Sequence, residues 1–366
     1  MKASDIRQLR LHTQHLSAST FKDPADIVHY MGAVQAQDYA GAKWAIGQRL
    51  VGVNDDLIEK AFTNGDIIRT HVMRPTWHFV SPKDIRWMLE LTAPRVQAIA
   101  SFRHRQLKLD KDIFAKCEKA LIKALEGGRQ LARNDVAVAL QQAGVDTDEQ
   151  RFVHIMMEME LIGLVCSGGR QGKQFTYALL DERVPKTKTP ERDDALAVLA
   201  ERYFTAHGPA TLQDYVWWSG LTVADAKAGL EMIKNKLTSD EFDGNTYWFT
   251  TQQSAQKNKT GAALLLPNYD EYIVSYKDRS AAIESANINK TDPRGTIFNN
   301  TVVVNGLIIG TWKHTFKKDK VVVEINPFKA LSKASEASIT SAVKRYAKFL
   351  GMKDFLVQIS GQGPKI

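Results

Sequence analysis

The chain has 366 residues, 44% of them hydrophobic and 25% charged, which fits a soluble protein with real cores and excludes a disordered or low-complexity one. Lys and Arg number 49 against 41 Asp and Glu, a formal charge of +8, and a field of that sign favours polyanions such as DNA, RNA or an acidic membrane face without choosing among them. Cys117 and Cys166 are isolated, no apolar run has membrane-spanning length, and the start MKASDIRQLRLHTQHL lacks a signal-peptide pattern, so the expected setting is the cytoplasm, with no membrane association.

Taken in chain order, the first unit runs from Ala3 to about Val80. Leu9, Leu16 and Phe21 are early apolar anchors. Asp23-Pro24 opens a helix whose buried face is Ile27, Val28, Met31 and Val34. A further helix over Asp56 to Thr63 stops at Asn64-Gly65, and strands Ile67 to Met73 and Thr76 to Val80 flank Arg74-Pro75. A helical connector follows to about Leu109, with Arg95, Arg103, His104, Arg105 and Lys108 on a solvated basic face or a phosphate-binding strip.

In the second unit, helices cover Asp112 to Glu126, a stretch capped by Asn134 and running to Gln142, and Asp148 to Glu160. Strands Leu164 to Ser167 and Gln174 to Leu180 enclose the turn GGRQGK. There Arg170 and Lys173 stand among glycines and can approach a phosphate backbone. The spacing is not that of a P-loop. After a linker, Pro185 to Pro190, the third unit has a helix from Arg192 to Ala206 and a short aromatic helix capped by Thr211. Next come a helix from the Thr222–Asp225 capping pair to Lys236, and strands meeting at Asp243-Gly244. Gln252 to Thr260 reads as a polar linker. The tail is α+β: strands at Ala262 to Leu266, around Asn305-Gly306, and at Val321 to Ile325 beyond a turn holding Lys317, Lys318 and Lys320. A helix from about Ser335 and a last strand, Asp354 to Ile359, complete it.

Helices followed by a small hairpin, three times over, outline three tandem winged-helix units before a C-terminal α+β domain with a small β-sheet. The expected divisions are 1–110, 111–188, 189–252 and 261–366. Candidate DNA contacts are Arg69, His71, Arg74 and His78 on the first hairpin, Arg170 and Lys173 on the second, and Lys317 and Lys318 in the tail. His71 and His78 serve equally well as structural histidines. Without further ligands at suitable spacing they form no metal site, and no H-E-x-x-H, G-x-S-x-G or paired-cysteine motif occurs. Trp217-Trp218 reads as core, or as an aromatic wedge. Asp270 and Glu271 read as hydrogen-bond partners of Lys277 or Arg279, or as site carboxylates.

One cluster stands out. The second helix of the first unit is expected to end in AVQAQDYAGAKW, where Gln35, Gln37 and Asp38 gather before Gly41. Side chains two apart do not share a helix face, so the amides converge only where the backbone leaves helical geometry. The plainer reading is a polar helix end bonding its own backbone.

VQAQDYAG resembles the Q-x-Q motif of the AlkZ-like winged-helix DNA glycosylases, bacterial base-excision enzymes for alkylated bases and interstrand crosslinks. RTHVMRPTWHFVSPKD, GLVCSGGRQGKQFTYALLDERVP, RYFTAHGPATLQDYVWWSGLT, LLPNYDEYIVSYKDRS and VVVNGLIIGTW are similar to further family segments, in the same order along nearly the whole chain. The resemblance implies tandem winged helices around a DNA-binding concavity. It also implies a monomeric, cofactor-free repair enzyme acting on double-stranded DNA with alkylated bases, with Gln35 and Gln37 as its catalytic pair. Asp38 either activates water or faces solvent; related subfamilies carry an acid at the second motif position, occupied here by Gln37. Alkylation at N7 makes a purine cationic and a good leaving group, so no strong general acid is needed. Two carboxamides suffice to place water and stabilise a cationic sugar. The competing readings are a non-catalytic DNA-binding regulator and a protein-interaction scaffold.

Overall fold

The computed structural model describes residues 1–250, 262–291 and 299–360. The expected linker from Gln252 to Thr260 lies outside the described residues. In chain order the elements are α1 (Ala3–Thr13), α2 (Pro24–Met31), β1 (Ala33–Gln35), α3 (Tyr39–Gln48), α4 (Asp55–Asn64), β2 (Ile68–Val72), β3 (Arg74–Val80) and the long α5 (Ile85–Gln106). Then follow α6 (Lys111–Leu125), β4 (Leu131–Ala132), α7 (Arg133–Gln142), α8 (Glu149–Leu161), β5 (Val165–Ser167), β6 (Thr176–Leu179) and α9 (Leu180–Arg183). A third group comprises α10 (Arg192–His207), α11 (Leu212–Ser219), α12 (Val223–Ile233), β7 (Leu237–Phe242) and β8 (Asn245–Thr250). The tail holds β9 (Ala263–Leu266), α13 (Glu271–Val274), α14 (Ile288–Thr291), β10 (Thr301–Val304), β11 (Leu307–Lys317), β12 (Lys320–Pro327), α15 (Lys333–Phe349) and β13 (Asp354–Ile359).

The chain is thus mixed α+β with small sheets. The first sheet has strand order β1-β3-β2 and the second β4-β6-β5, while β7 and β8 pair alone. The tail sheet runs β13-β12-β11-β10-β9, antiparallel except for β12 with β13. Capping follows the sequence at several ends: Asp23 accepts from the Ala25 N–H, Asp110 from Ile113, Asp148 from Arg151, and Thr222 from Asp225. The cap expected from Asn134 is not made, because α7 begins one residue earlier, at Arg133, without a side-chain cap.

The cores cross the expected divisions. The largest joins Val28, Met31, Trp44, Ile46 and Phe62 of the first group to Leu265, Trp312, Val323, Val343 and Phe349 of the tail. A second joins β2, β3 and α5 to α10, α11 and α12. The group from α6 to β6 has a core of its own, built on Leu121, Leu140, Phe152, Ile155 and Met159. The tail is therefore packed against the first helices, some 200 residues away in sequence, roughly one domain's length, and this packing sets up the site below.

The first hairpin differs from its expected form. Its turn is a single residue, Met73 at φ +64°, with Val72 paired to Arg74, rather than Arg74-Pro75. The tip is docked on the end of α11. Gly220 there has φ +69°, and a Cβ on it would lie 2.1 Å from the Met73 carbonyl oxygen, so only glycine fits. The outer edge of β2 is also closed. The N–H groups of Arg69, His71 and Met73, which face away from β3, donate to Ser167 Oγ at 2.9 Å, Glu160 Oε2 at 2.8 Å and Thr92 Oγ1 at 3.0 Å. An edge strand that would otherwise expose unpaired donors is sealed by side chains from β5, α8 and α5.

Candidate active site

Gly32 ends α2 at φ +78°, where residues with a Cβ are disfavoured, and the chain turns into β1. Gln35 therefore closes a strand, not a helix as expected, and Gln37 follows in the bend before α3. Extended backbone supplies the departure from helical geometry that two amides at this spacing require. Gln35 is 8% exposed and Gln37 is exposed, so one carboxamide lies inside and its neighbour at the surface. Asp38 is the N-cap of α3: its Oδ1 accepts the Gly41 N–H at 3.1 Å.

The backbone of the motif is held on every side. Gln35 pairs with His78 across the sheet, and the Ala36 N–H donates to the Trp77 carbonyl at 2.7 Å. The Ala36 carbonyl accepts from Arg69 Nε at 3.0 Å. The Arg69 guanidinium lies over the rings of Trp77 and Phe175, at 4.4 and 4.7 Å, and burial lowers its pKa to about 10. Behind the strand, the Gln35 N–H donates to Glu271 Oε1 at 2.7 Å. The Gln35 Nε2 reaches Thr76 Oγ1 at 3.5 Å, while its Oε1 is buried and has no hydrogen-bond partner among the described residues.

The tail carboxylates correct the expected pairing with Lys277 or Arg279. Asp270 is gripped by Arg49, Nη1 to Oδ2 at 2.9 Å and Nη2 to Oδ1 at 2.8 Å, and Arg49 Nη2 also donates to Gln14 at 2.7 Å. Glu271 is fully buried and accepts from Gln35, from Trp218 Nε1 at 3.2 Å and from the Ser275 hydroxyl. Trp218 is core; Trp217 is partly exposed, with its Nε1 donating to the Val274 carbonyl at 2.9 Å.

The DNA-contact candidates divide sharply. His71 is buried, its Nδ1 2.5 Å from Glu160, because its strand is sealed by α8. His78 has no exposed surface; its Nδ1 faces the Thr76 carbonyl at 2.9 Å and its Nε2 receives Arg74 Nη2 at 3.1 Å. Arg69 is buried as the clamp on Ala36, and Arg74 is folded back onto its own strand at a docked tip. Of these four expected DNA contacts, Arg69, His71 and His78 are buried and Arg74 is partly covered, so the two histidines take the structural role that the sequence also allowed. Arg170 is partly covered, near Glu59 at 3.4 Å and beside the rings of Tyr39 and Phe175. Lys173, Lys317 and Lys318 are exposed. Next to Lys317, Phe316 is an exposed aromatic, and the nearby His314 feels the Asp38 carboxylate, which opposes the lowering of its pKa by burial. Among the described residues, no group of three His, Cys, Asp or Glu is placed to hold a metal ion, and no helix is long and apolar enough to cross a membrane.

Sequence reasoning missed the link from Glu271 to Gln35 and the clamp on Ala36. The signal available was slight: two adjacent acids after an apolar strand, and an arginine in a strand of alternating polarity. The buried groups give a pH prediction. Burial, aided by Arg74, lowers the His78 pKa to about 3 from 6.5, so the unfolded chain takes up a proton that the folded one refuses. That contribution to stability is complete above pH 6.5 and is lost as pH falls toward 3. Burial pushes the Glu271 pKa up, but His207, with Arg74 and the Ser275 hydroxyl, lowers it to about 2 from 4.5, which adds a loss of the same sign at lower pH. The melting temperature should therefore fall on acidification below pH 6.5, and His78→Gln should flatten that dependence by about one proton. An unaltered slope would show that His78 is protonated in the fold.

The family model described as DNA glycosylase AlkZ-like matches residues 28–349, a span that includes the motif and both tail carboxylates. The chain is 21% identical over 370 residues to the interstrand DNA cross-link repair glycosylase of Streptomyces sahachiroi, covering 94% of this chain and 98% of that protein. Its fold is similar to the solved structure of Streptomyces sahachiroi DNA glycosylase AlkZ, with TM-score 0.82 at 18% identity over 98% of this chain and 99% of the other. With a match of this extent running through Gln35, Gln37 and Glu271, the chain belongs to the AlkZ-like DNA glycosylase family.

Proposed function

We propose that the protein hydrolyses the N-glycosidic bond of N7-alkylated purines in double-stranded DNA, as a cytoplasmic monomer without metal or other cofactor and without cutting the backbone itself. The observation that carries this reading is the Gln35 Oε1, buried and without a hydrogen-bond partner among the described residues, at the end of a strand whose backbone is fixed on both sides. A carboxamide oxygen on a fixed backbone is what a developing oxocarbenium ion or an attacking water calls for. Gln37, exposed beside it, supplies a second amide for water or phosphate. Asp38 already caps α3 through Oδ1, which leaves its other oxygen for water. Family membership supports the reaction class, and the name of the Streptomyces relative makes a crosslink a substrate to test alongside a monoadduct.

In the same reading the three helix-and-hairpin groups are winged helices, with domain divisions near 110, 188 and 252. The shared strand order of the first two sheets, with the last strand in the middle, supports it. A regulator that reads sequence fits less well. The third helix of the second group, α8, would have to enter a groove, but it packs Met157 and Leu161 on α5 and gives Glu160 to β2.

The test is base release from a duplex with one N7-methylguanine and from a duplex crosslinked through guanine N7 atoms. Release from either supports the reading; release from neither, with the duplex bound, would end it. DNA binding by Lys173, Lys317 and Lys318 has its own check. Replacing all three with alanine should lower the salt dependence of duplex binding by up to ~0.9 in log–log slope for each phosphate no longer neutralised. An unchanged slope would put these lysines away from DNA.

A further inference from the structure

We propose that Glu271, through its buried carboxylate, is the positioning residue for Gln35, tying the amide-bearing strand to the tail. This role rests on the reading of Gln35 as catalytic. The strand β1 has only three residues and lies at the edge of its sheet, so β3 supports it from one side alone. On the open side, the Gln35 N–H would be an unpaired buried donor; Glu271 Oε1 accepts it at 2.7 Å. A charged acceptor makes a stronger bond than a carbonyl would. For so short a strand, that bond is a large share of what holds the backbone at Gln35 and aims its side chain.

The carboxylate is itself immobilised. Its Oε2 receives Trp218 Nε1 at 3.2 Å and the Ser275 hydroxyl, and His207 Nε2 lies 3.7 Å away. No lysine or arginine is within ion-pair distance of it among the described residues, an uncommon arrangement for a charge with no exposed surface. The preceding residue, Asp270, accepts the Tyr272 N–H at 2.9 Å as the cap of α13 and is gripped by Arg49. The acceptor therefore stands on a rigid turn. A directional acceptor aimed at one peptide group both pairs a buried donor and fixes the geometry of that residue.

The experiment compares wild type with Glu271→Gln in three measurements: single-turnover release of N7-methylguanine at saturating enzyme, duplex Kd, and amide hydrogen exchange. The expected result is a rate about 10- to 100-fold lower, the size of a charge-assisted hydrogen bond. Kd should be unchanged within about 2-fold, with faster exchange at Gln35 but not in the ladder between β2 and β3. Trp218→Phe removes a donor from the carboxylate without touching Gln35, and should slow release by a smaller factor with the same exchange pattern. It carries the test if Glu271→Gln does not fold. An unchanged rate, or a slowed rate with unaltered exchange at Gln35, would overturn the proposal. General loosening of both strands together with weaker DNA binding would also overturn it, since that is the mark of a purely structural residue. If wild type releases no base, the glycosylase reading itself fails, and exchange at Gln35 still reports whether the anchor exists.

Discussion

Gln35→Ala should bind duplex DNA as the wild type does and release N7-methylguanine about 100- to 1,000-fold more slowly, the range for loss of one aligned transition-state partner. The expectation follows from placement. Gln35 is almost wholly buried, so truncation removes little surface that a duplex touches. What it removes is a carboxamide oxygen with no hydrogen-bond partner among the described residues. Gln37→Ala should also slow release, with a larger effect on the binding of short duplexes because its amide is at the surface. Release by Gln35→Ala at the wild-type rate, measured with enzyme in excess, would take that residue out of the mechanism.

The second large effect is on stability. Asp270→Ala should cost about 3–5 kcal/mol, read as a lower denaturant midpoint, because it strands a buried guanidinium. Arg49 and Asp270 are both fully enclosed and joined by two parallel hydrogen bonds. Arg49 also donates to the Ala45 carbonyl and to Gln14, so the pair links α1, α3 and the turn that carries Glu271. Removing Lys186, whose partner Asp181 is on the surface, should leave the midpoint where it was. A shift for Asp270→Ala no greater than that of the surface control would show that water reaches Arg49 and repays its desolvation.

The turns that sequence revealed best are those with a local cause. Asp243-Gly244 and Asn305-Gly306 sit at the tips where their φ values, all positive, demand such residues. The helix α3 was not legible. Ala42 through Gln48 are all buried, so no polar face marks a helical period, and Lys43 is hidden only because Asp55 and Glu59 reach it. Val34 fits the helical face of α2 by spacing, yet Gly32 had already ended that helix. The motif itself was legible as residues but not as geometry. Its strand exists because β3 pairs with it from forty residues on and Glu271 from far beyond, and such distant partners leave no local pattern. The same holds for His71, whose fate depends on Glu160.

The closed edge of β2 ties the second group of helices to the first. Swinging the second group of helices outward would uncover two amide donors at once, those of Arg69 and His71, together with the apolar contacts of α5 and α8. The seam thus joins the first and second groups by hydrogen bonds and apolar packing together. Under the proposed reaction, fitting a lesion to Gln35 and Gln37 would fall to the nucleic acid, through bending or base displacement.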